Sequence, residues 1–405
     1  MSSGFHRGII LACTLLVAGC ASAPDVPRIR IWHQKIGPER LFFERVVAQY
    51  NADNTDHVVE VLYRETEEAR NLFVIASVGG KGPELLFGPS DNVSVLALTE
   101  SIMPIDRVLT SEYLSQFNDE GVLSWNDQPW MVADQVGNHL MFVYNKRYIS
   151  EPPETISEMI SMLTELTSRP EITYGLTWNY TEPFFFLPFL TGYGGWVMDE
   201  DGRPSLNTEA TVKAIRLILD LRDKYRVIPG TTDYDTAEAT FKEQRVAAII
   251  NGPWSWTGYE QVGIDYGLSR IPMNDETGLW SAPVISSKGY CVNANVPDDK
   301  LPFVRRVLEY LTSAEMQAAM AAELTTIPVM TSVRESEVMN ENPRLKQSLA
   351  QIEVSRPMPI DPKMRQIWDG MRGPYQLVMN GAVSPEEGAR LMQREVEKRI
   401  ADTFL

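Results

Sequence analysis

At several separate points this chain gathers rings, carboxylates, amides and guanidinium groups. Trp254 follows the break Gly252-Pro253, at the end of a hydrophobic run from Val246 to Ile250. Tyr180, Glu182 and Phe184 share one aromatic stretch, Asp91 and Asn92 follow the apolar run that ends at Phe87, and Asn138 precedes His139. Trp368 and Arg372 stand four residues apart, which on a helix puts both on one face. Such mixtures suit the recognition of a sugar, whose flat C–H face covers a ring while its in-plane hydroxyls meet carboxylate, amide and guanidinium groups. Each residue also has a plainer alternative. Large rings dominate cores, Glu182 before Pro183 can be merely solvated, and Arg372 can serve a structural ion pair.

Other chemistries are poorly served. The four histidines, His6, His33, His57 and His139, are scattered, and none has a second His or Cys at metal-ligand spacing, so neither a metal site nor a cofactor is expected. Gly79-Gly80-Lys81-Gly82-Pro83 fails as a phosphate loop, because no Ser or Thr follows the lysine and the segment enters a strand instead of opening a helix. There is no nucleophile elbow and no plausible Ser-His-Asp order, and no catalytic residue is assigned.

The net charge is −17, and it becomes about −18 once residues 1–19, with their single arginine, are removed. This balance argues against nucleic acid or an anionic lipid surface as partner, since phosphates need a basic face. A chain of 405 residues exceeds the usual size of one core, so two lobes are expected. At the N-terminus, Arg7, the apolar run Gly8–Ala18 and the tetrapeptide Val17-Ala18-Gly19-Cys20 read as a processing signal. The tetrapeptide resembles a lipobox, which makes Cys20 a lipidated first residue and a membrane anchor. Cys13 leaves with the signal, so Cys291 remains as an inert buried thiol in an apolar run.

The elements that must position the rings follow from periodicity. Strand-like runs at Arg28–Trp32, Val58–Tyr63 and Glu84–Phe87 alternate with helical spacing at Phe43, Val46, Val47 and Tyr50 and over Glu67–Val78, which implies parallel βαβ units. A second α/β pattern begins past Tyr144, with Thr155 and Glu158 as a capping box and a long amphipathic helix near Thr208–Tyr225. Ser384, Pro385 and Glu387 start a last helix that runs to about Ile400. No flexible linker separates the halves.

Ile250 to Trp256 resembles the motif before the cleft in the maltose/maltodextrin-binding proteins, sugar receptors of ABC importers (extracellular solute-binding protein family 1). The similarity keeps its order through Phe142-Val143-Tyr144-Asn145-Lys146, Glu182-Pro183-Phe184 with Gly194-Gly195, Asp233-Tyr234 with Ala237-Glu238-Ala239, and Trp368 with Arg372, and it spans nearly the whole mature chain. It implies an α/β, two-lobe periplasmic-binding-protein fold of type II, each lobe a mostly parallel sheet flanked by helices, joined by a multi-crossing hinge. Mapped here, residues 1–19 are a lipoprotein signal peptide and 20–27 a tether. Residues 28–135 with 290–327 form the N-terminal lobe, and 136–285 with 334–405 the C-terminal lobe. Crossings fall near Gln135–Gly137, Ile285–Gly289 and Pro328–Arg334.

By the same resemblance, Asp91 binds sugar hydroxyls from the N-terminal lobe, Glu182 and Phe184 supply polar and stacking contacts, and Trp254, Trp368 and Arg372 line the C-terminal face. The chain departs from the pattern where the family carries Trp at Gly88, Arg at Asn92 and commonly Glu near Asn138; Trp32 is the candidate replacement ring. The expected function is a lipid-anchored, monomeric receptor on the extracytoplasmic side of a bacterial membrane, periplasmic or at the cell surface. It captures a sugar or short oligosaccharide and delivers it to ABC importer membrane subunits. A glycoside hydrolase is the competing class. Asp91 and Glu182 would come from opposing lobes, however, and a cleft that opens and closes would not hold them at a fixed catalytic separation. An envelope lipoprotein without a small ligand is the third. Labelled oligosaccharides separate the three by being bound unchanged, cleaved or ignored.

Overall fold

In the computed structural model, which describes residues 26–404, the strands sort into two sheets. The expected signal segment, residues 1–19, and Cys20 lie outside the described residues. The first sheet contains β1 (Arg28–His33), β2 (Val58–Tyr63), β3 (Leu85–Pro89), β4 (Ile102–Met103), β5 (Val122–Trp125) and β6 (Gln128–Gly137), joined by β11 (Val284–Asn293) and β12 (Arg356–Pro357). The second contains β7 (Met141–Asn145), β8 (Tyr174–Thr177), β9 (Val246–Asn251) and β10 (Tyr266–Ser269). Both are covered on each face, which is why their central strands read as continuous apolar runs. In the first, Ile29, Ile31, Leu85 and Phe87 face one core and Leu86, Met131 and Cys291 the other. In the second, Phe142, Ala248 and Ile250 face one core and Met141, Val143 and Ile249 the other. Cys291 is fully buried, and burial pushes its thiol up to about 12.

The architecture is the expected two-lobe α/β fold, with one correction: the sheets are mixed. The βαβ units make β1, β2 and β3 parallel and β8 parallel to β9. The strands that enter or leave a lobe run the other way: β11 is antiparallel to β3 and β6, and β7 to β9 and β10. A strand returning from the opposite lobe enters from the hinge end, so its direction is set by the crossing rather than by a helix.

The chain leaves the first sheet at Gly137, which pairs with Ser286, and β7 starts at Met141. A third passage lies alongside, where the Val136 amide donates to the Ile327 carbonyl at 3.0 Å. That passage is broader than the expected 328–334. Val333, Met339, Leu345 and Ile352 still join the first lobe's core, while the polar side of the helix Pro343–Ile352 bonds the second lobe. There the Ala350 carbonyl accepts from Arg270 Nε at 2.9 Å, and Gln351 Oε1 accepts from the Ile271 amide at 2.8 Å. Further along the same edge of β11 the register skips Asp134, which bulges from β6. Gly289 makes the bulge possible, because a Cβ there would meet the Val132 carbonyl oxygen at 2.3 Å.

Candidate ligand cleft

The pairing registers alone identify which strand ends face each other. Pro89, the last residue of β3, pairs with Lys288, two residues from the crossing pair Ser286–Gly137. Asn251, the last residue of β9, pairs with Met141, the first residue after the crossing. The carboxyl ends of β3 and β9 therefore both lie at the hinge side of their lobes, and the loops that follow them are the walls of the cleft, the place where open α/β sheets hold ligands.

On the second lobe's wall the ring residues converge. Pro183 starts the helix Pro183–Gly192, and Phe184 behind it puts its ring 6.5 Å from Trp254 and 6.4 Å from Trp368. Trp254 is 46% exposed, and its Nε1 donates to the Tyr234 hydroxyl at 3.0 Å. Its six-membered ring lies directly on Gly252, whose missing side chain leaves the room. The turn beneath is held from inside: Asn251 Oδ1 accepts from the Gly252 amide at 2.9 Å. Its Nδ2 donates to Glu238 Oε1 at 2.6 Å, and the Tyr259 hydroxyl donates to the same oxygen at 2.6 Å. Burial, followed by the Glu238 charge, raises the Tyr259 pKa, so this hydroxyl stays a donor.

Glu182 and Arg372 close on each other at the rim. Arg372 Nη2 donates to Glu182 Oε1 at 2.9 Å and Nε at 3.2 Å, a forked pair in which the carboxylate holds the guanidinium further toward its charged form. Their side chains are 29% and 44% exposed, so each keeps polar edges free for a hydroxyl while the pair fixes their direction.

The first lobe's wall is built differently. Asp91 and Asn92 form a short turn after β3, Asp91 exposed and Asn92 buried. Asn138 sits at the crossing itself in the left-handed region, φ 63°, and is exposed. Trp32 is half-buried against the core on one face of the first sheet, with the Arg64 guanidinium 5.5 Å above its ring. Beside it, the first lobe buries a charged cluster that sequence reading missed. Lys35 lies 3.6 Å over the Phe87 ring, 3.1 Å from Glu39 and 3.3 Å from the bulged Asp134. Burial raises Asp134, whereas for Glu39 burial is outweighed by Lys35 and Lys288, which bring its carboxyl down to about 2. Tyr180 is also core: it is 1% exposed, with its hydroxyl bonded to the Pro229 and Gly230 carbonyls. Among the described residues, no cluster of three or more His, Cys, Asp or Glu side chains is arranged to hold a metal ion.

Of the residues singled out, Glu182, Phe184, Trp254, Trp368 and Arg372 form one surface, with Asp91 and Asn138 on separate segments of the facing wall and hinge. Asn251, Glu238 and Tyr259 were missed as positioning groups. Their signal was available in the polar residue that closes an otherwise apolar strand, Ile249-Ile250-Asn251.

Residues 45–347 match a family model described as bacterial extracellular solute-binding protein. The maltose/maltodextrin-binding domain MalE from Bdellovibrio bacteriovorus, solved with maltotriose, is 39% identical with a TM-score of 0.80, over 93% of this chain and all of that one. A maltotriose-binding protein of Pyrococcus abyssi (strain GE5 / Orsay) is 24% identical over 353 residues, 85% of this chain and 76% of that one. A galactooligosaccharide-binding protein of Bacillus subtilis (strain 168) is 24% identical over 348 residues, 82% of this chain and 81% of the other. Two facing strand-end walls on this fold, matched across most of the chain, make it a member of the bacterial extracellular solute-binding proteins, of the maltose/maltodextrin-binding-like kind, and not an enzyme.

Proposed function

We infer that this chain is a monomeric, lipid-anchored receptor that captures a short oligosaccharide of the maltodextrin class between its lobes and hands it to the membrane subunits of an ABC importer. The observation that carries the reading is the row Trp254–Phe184–Trp368, with rings at intervals of 6.5 and 6.4 Å. Steps of that size are comparable to one hexose, so the row offers successive units of a chain a ring each. Glu182 and Arg372 meet hydroxyls at its rim, and Asp91 and Asn138 approach from the facing side. Closure of the two lobes is driven only by contacts that the ligand makes with both.

A thermal-shift panel of maltose, maltotriose, longer maltodextrins and galactose-based trisaccharides tests this, because a ligand that binds only the folded state raises its melting temperature by mass action. Stabilisation by maltotriose is expected, and no shift with any saccharide at millimolar concentration overturns the reading. The anchor is tested apart from the ligand. Palmitate labelling should mark the wild type and not Cys20→Ala, and equal labelling of both removes the lipid from the proposal.

A further inference from the structure

Three buried polar atoms near the hinge meet no hydrogen-bond partner among the described residues: His139 Nδ1, Trp256 Nε1 and Gln351 Nε2. His139 stands two residues past Gly137, where the chain leaves the first sheet, and is 1% exposed. Trp256, two residues past the exposed Trp254, is 4% exposed, and Gln351, on the helix Pro343–Ile352, is fully buried. The three share one neighbourhood. The His139 and Trp256 rings meet edge to face, with centroids 6.4 Å apart. His139 Nε2 lies 2.9 Å from Ser348 Oγ, and Gln351 follows Ser348 by three residues, on the same face of the helix.

The bonds around them fix what each atom offers. Ser348 Oγ donates to Met141 Sδ at 3.7 Å, so it accepts from His139 Nε2 and leaves Nδ1 as a bare acceptor. Gln351 Oε1 is taken by the Ile271 amide at 2.8 Å, which leaves Nε2 as a donor, and an indole Nε1 only donates. Two donors and one acceptor are what a single water satisfies, accepting twice and donating once. A cation is turned away by the N–H groups and an anion by the lone pair. Because a buried polar group left unmet costs stability, internal waters with about three bonds are the usual occupants of such places. We propose that His139, Trp256 and Gln351 bind one internal water, which ties the hinge crossing, the helix Pro343–Ile352 and the turn carrying Trp254 to one another. The site belongs to the unliganded fold and is independent of which sugar the cleft takes.

NOE and ROE spectra of the unliganded, indole-labelled protein test it, with the Trp256 signal identified by its loss in Trp256→Phe. The Trp256 Nε1–H should show water cross-peaks of opposite sign in the two spectra, the mark of a water that stays bound. His139→Phe, which keeps a ring without nitrogen, should abolish them. No bound-water signal on Trp256 in the wild type, or its persistence in His139→Phe, overturns the site. Should His139→Phe fail to fold, high-resolution crystals of the wild type decide: one ordered water bonded to all three atoms supports the site, and none there overturns it. Hydrogen exchange reads the tie. Trp256→Phe removes the N–H but none of the bonds made by the helix Pro343–Ile352, whose amides should nevertheless open roughly tenfold more readily, the worth of one or two hydrogen bonds, while those of the distant helix Gly37–Asp53 stay as they were. Faster exchange in both helices alike, or in neither, overturns the tie.

Discussion

Gly252→Ala isolates the placement of one ring without touching it. The backbone there is extended, φ −110° and ψ 178°, so alanine meets no conformational strain. The added Cβ would nevertheless fall 2.2 Å from Cζ3 and 2.3 Å from Cη2 of Trp254, distances no packed structure sustains. The indole has to swing away and give up its 3.0 Å bond to the Tyr234 hydroxyl. Because Trp254 is already 46% exposed, the swing ends in solvent. Folding then loses one surface hydrogen bond, about 0.5–1.5 kcal/mol, and unliganded melting falls by no more than about 4 °C. Binding loses more. A displaced stacking ring removes roughly 1–3 kcal/mol, by analogy with bases stacked on aromatic side chains, which is about 5- to 150-fold in affinity. Calorimetry with maltotriose on the wild type, Gly252→Ala, Trp254→Ala and the double variant tests the reasoning. If the glycine acts only through the ring, the double variant binds as Trp254→Ala does. Full-strength binding by Gly252→Ala, or losses that add in the double variant, would refute it.

Three further outcomes are expected. Arg372→Leu should cost stability no more than about 1 kcal/mol, because the pair with Glu182 is part-exposed and screened, yet lower maltotriose affinity severalfold; calorimetry and chemical denaturation read the two effects separately, and unchanged affinity makes the pair purely structural. Asn251→Ala should cost about 1–3 kcal/mol in urea unfolding, since Glu238 and Tyr259 lose a buried partner, and should weaken binding through the loosened turn. His139 is neutral in the folded chain because burial lowers its pKa from 6.5 to about 3. Only the unfolded chain takes up that proton in this window, so stability should fall as pH drops from 6.5 toward 3, by up to about 1.4 kcal/mol per unit for this one group. His139→Gln should flatten the slope by about one proton, and identical slopes in urea unfolding at pH 6.5 and 4.5 contradict it.

What sequence reading recovered was local. Val246 to Ile250 reads as a buried strand and Gly252-Pro253 as its stop, so the exposed ring at Trp254 was legible; Thr155 and Glu158 do form their capping box. The spacing of Trp368 and Arg372 put both on one helix face, but nothing local revealed that Arg372 forks onto Glu182, 190 residues away. For Trp32, alternation marks a strand position, while the core it packs against and the Arg64 guanidinium come from other elements and were not legible locally. Strand direction in β11 and the bulge at Asp134 depend on the pairing of β6 with β11, strands about 150 residues apart in the chain, and periodicity within a window carries no trace of either.

The place of β11 in the first sheet has a consequence for how the protein is made. This strand, residues 284–293, lies between β3 and β6, so the first lobe cannot close its sheet until those residues have been synthesised, by which time every strand of the second lobe has already emerged. Until then β3 and β6 have no neighbour on the side β11 will fill, and the first 137 residues wait as an incomplete unit with unpaired edges. Pairings so distant in the chain make for slow folding. A truncation at Gly137 should accordingly give no stable lobe, whereas residues 139–283 carry a complete sheet of their own. The sheet that is begun first is thus the one that must close last.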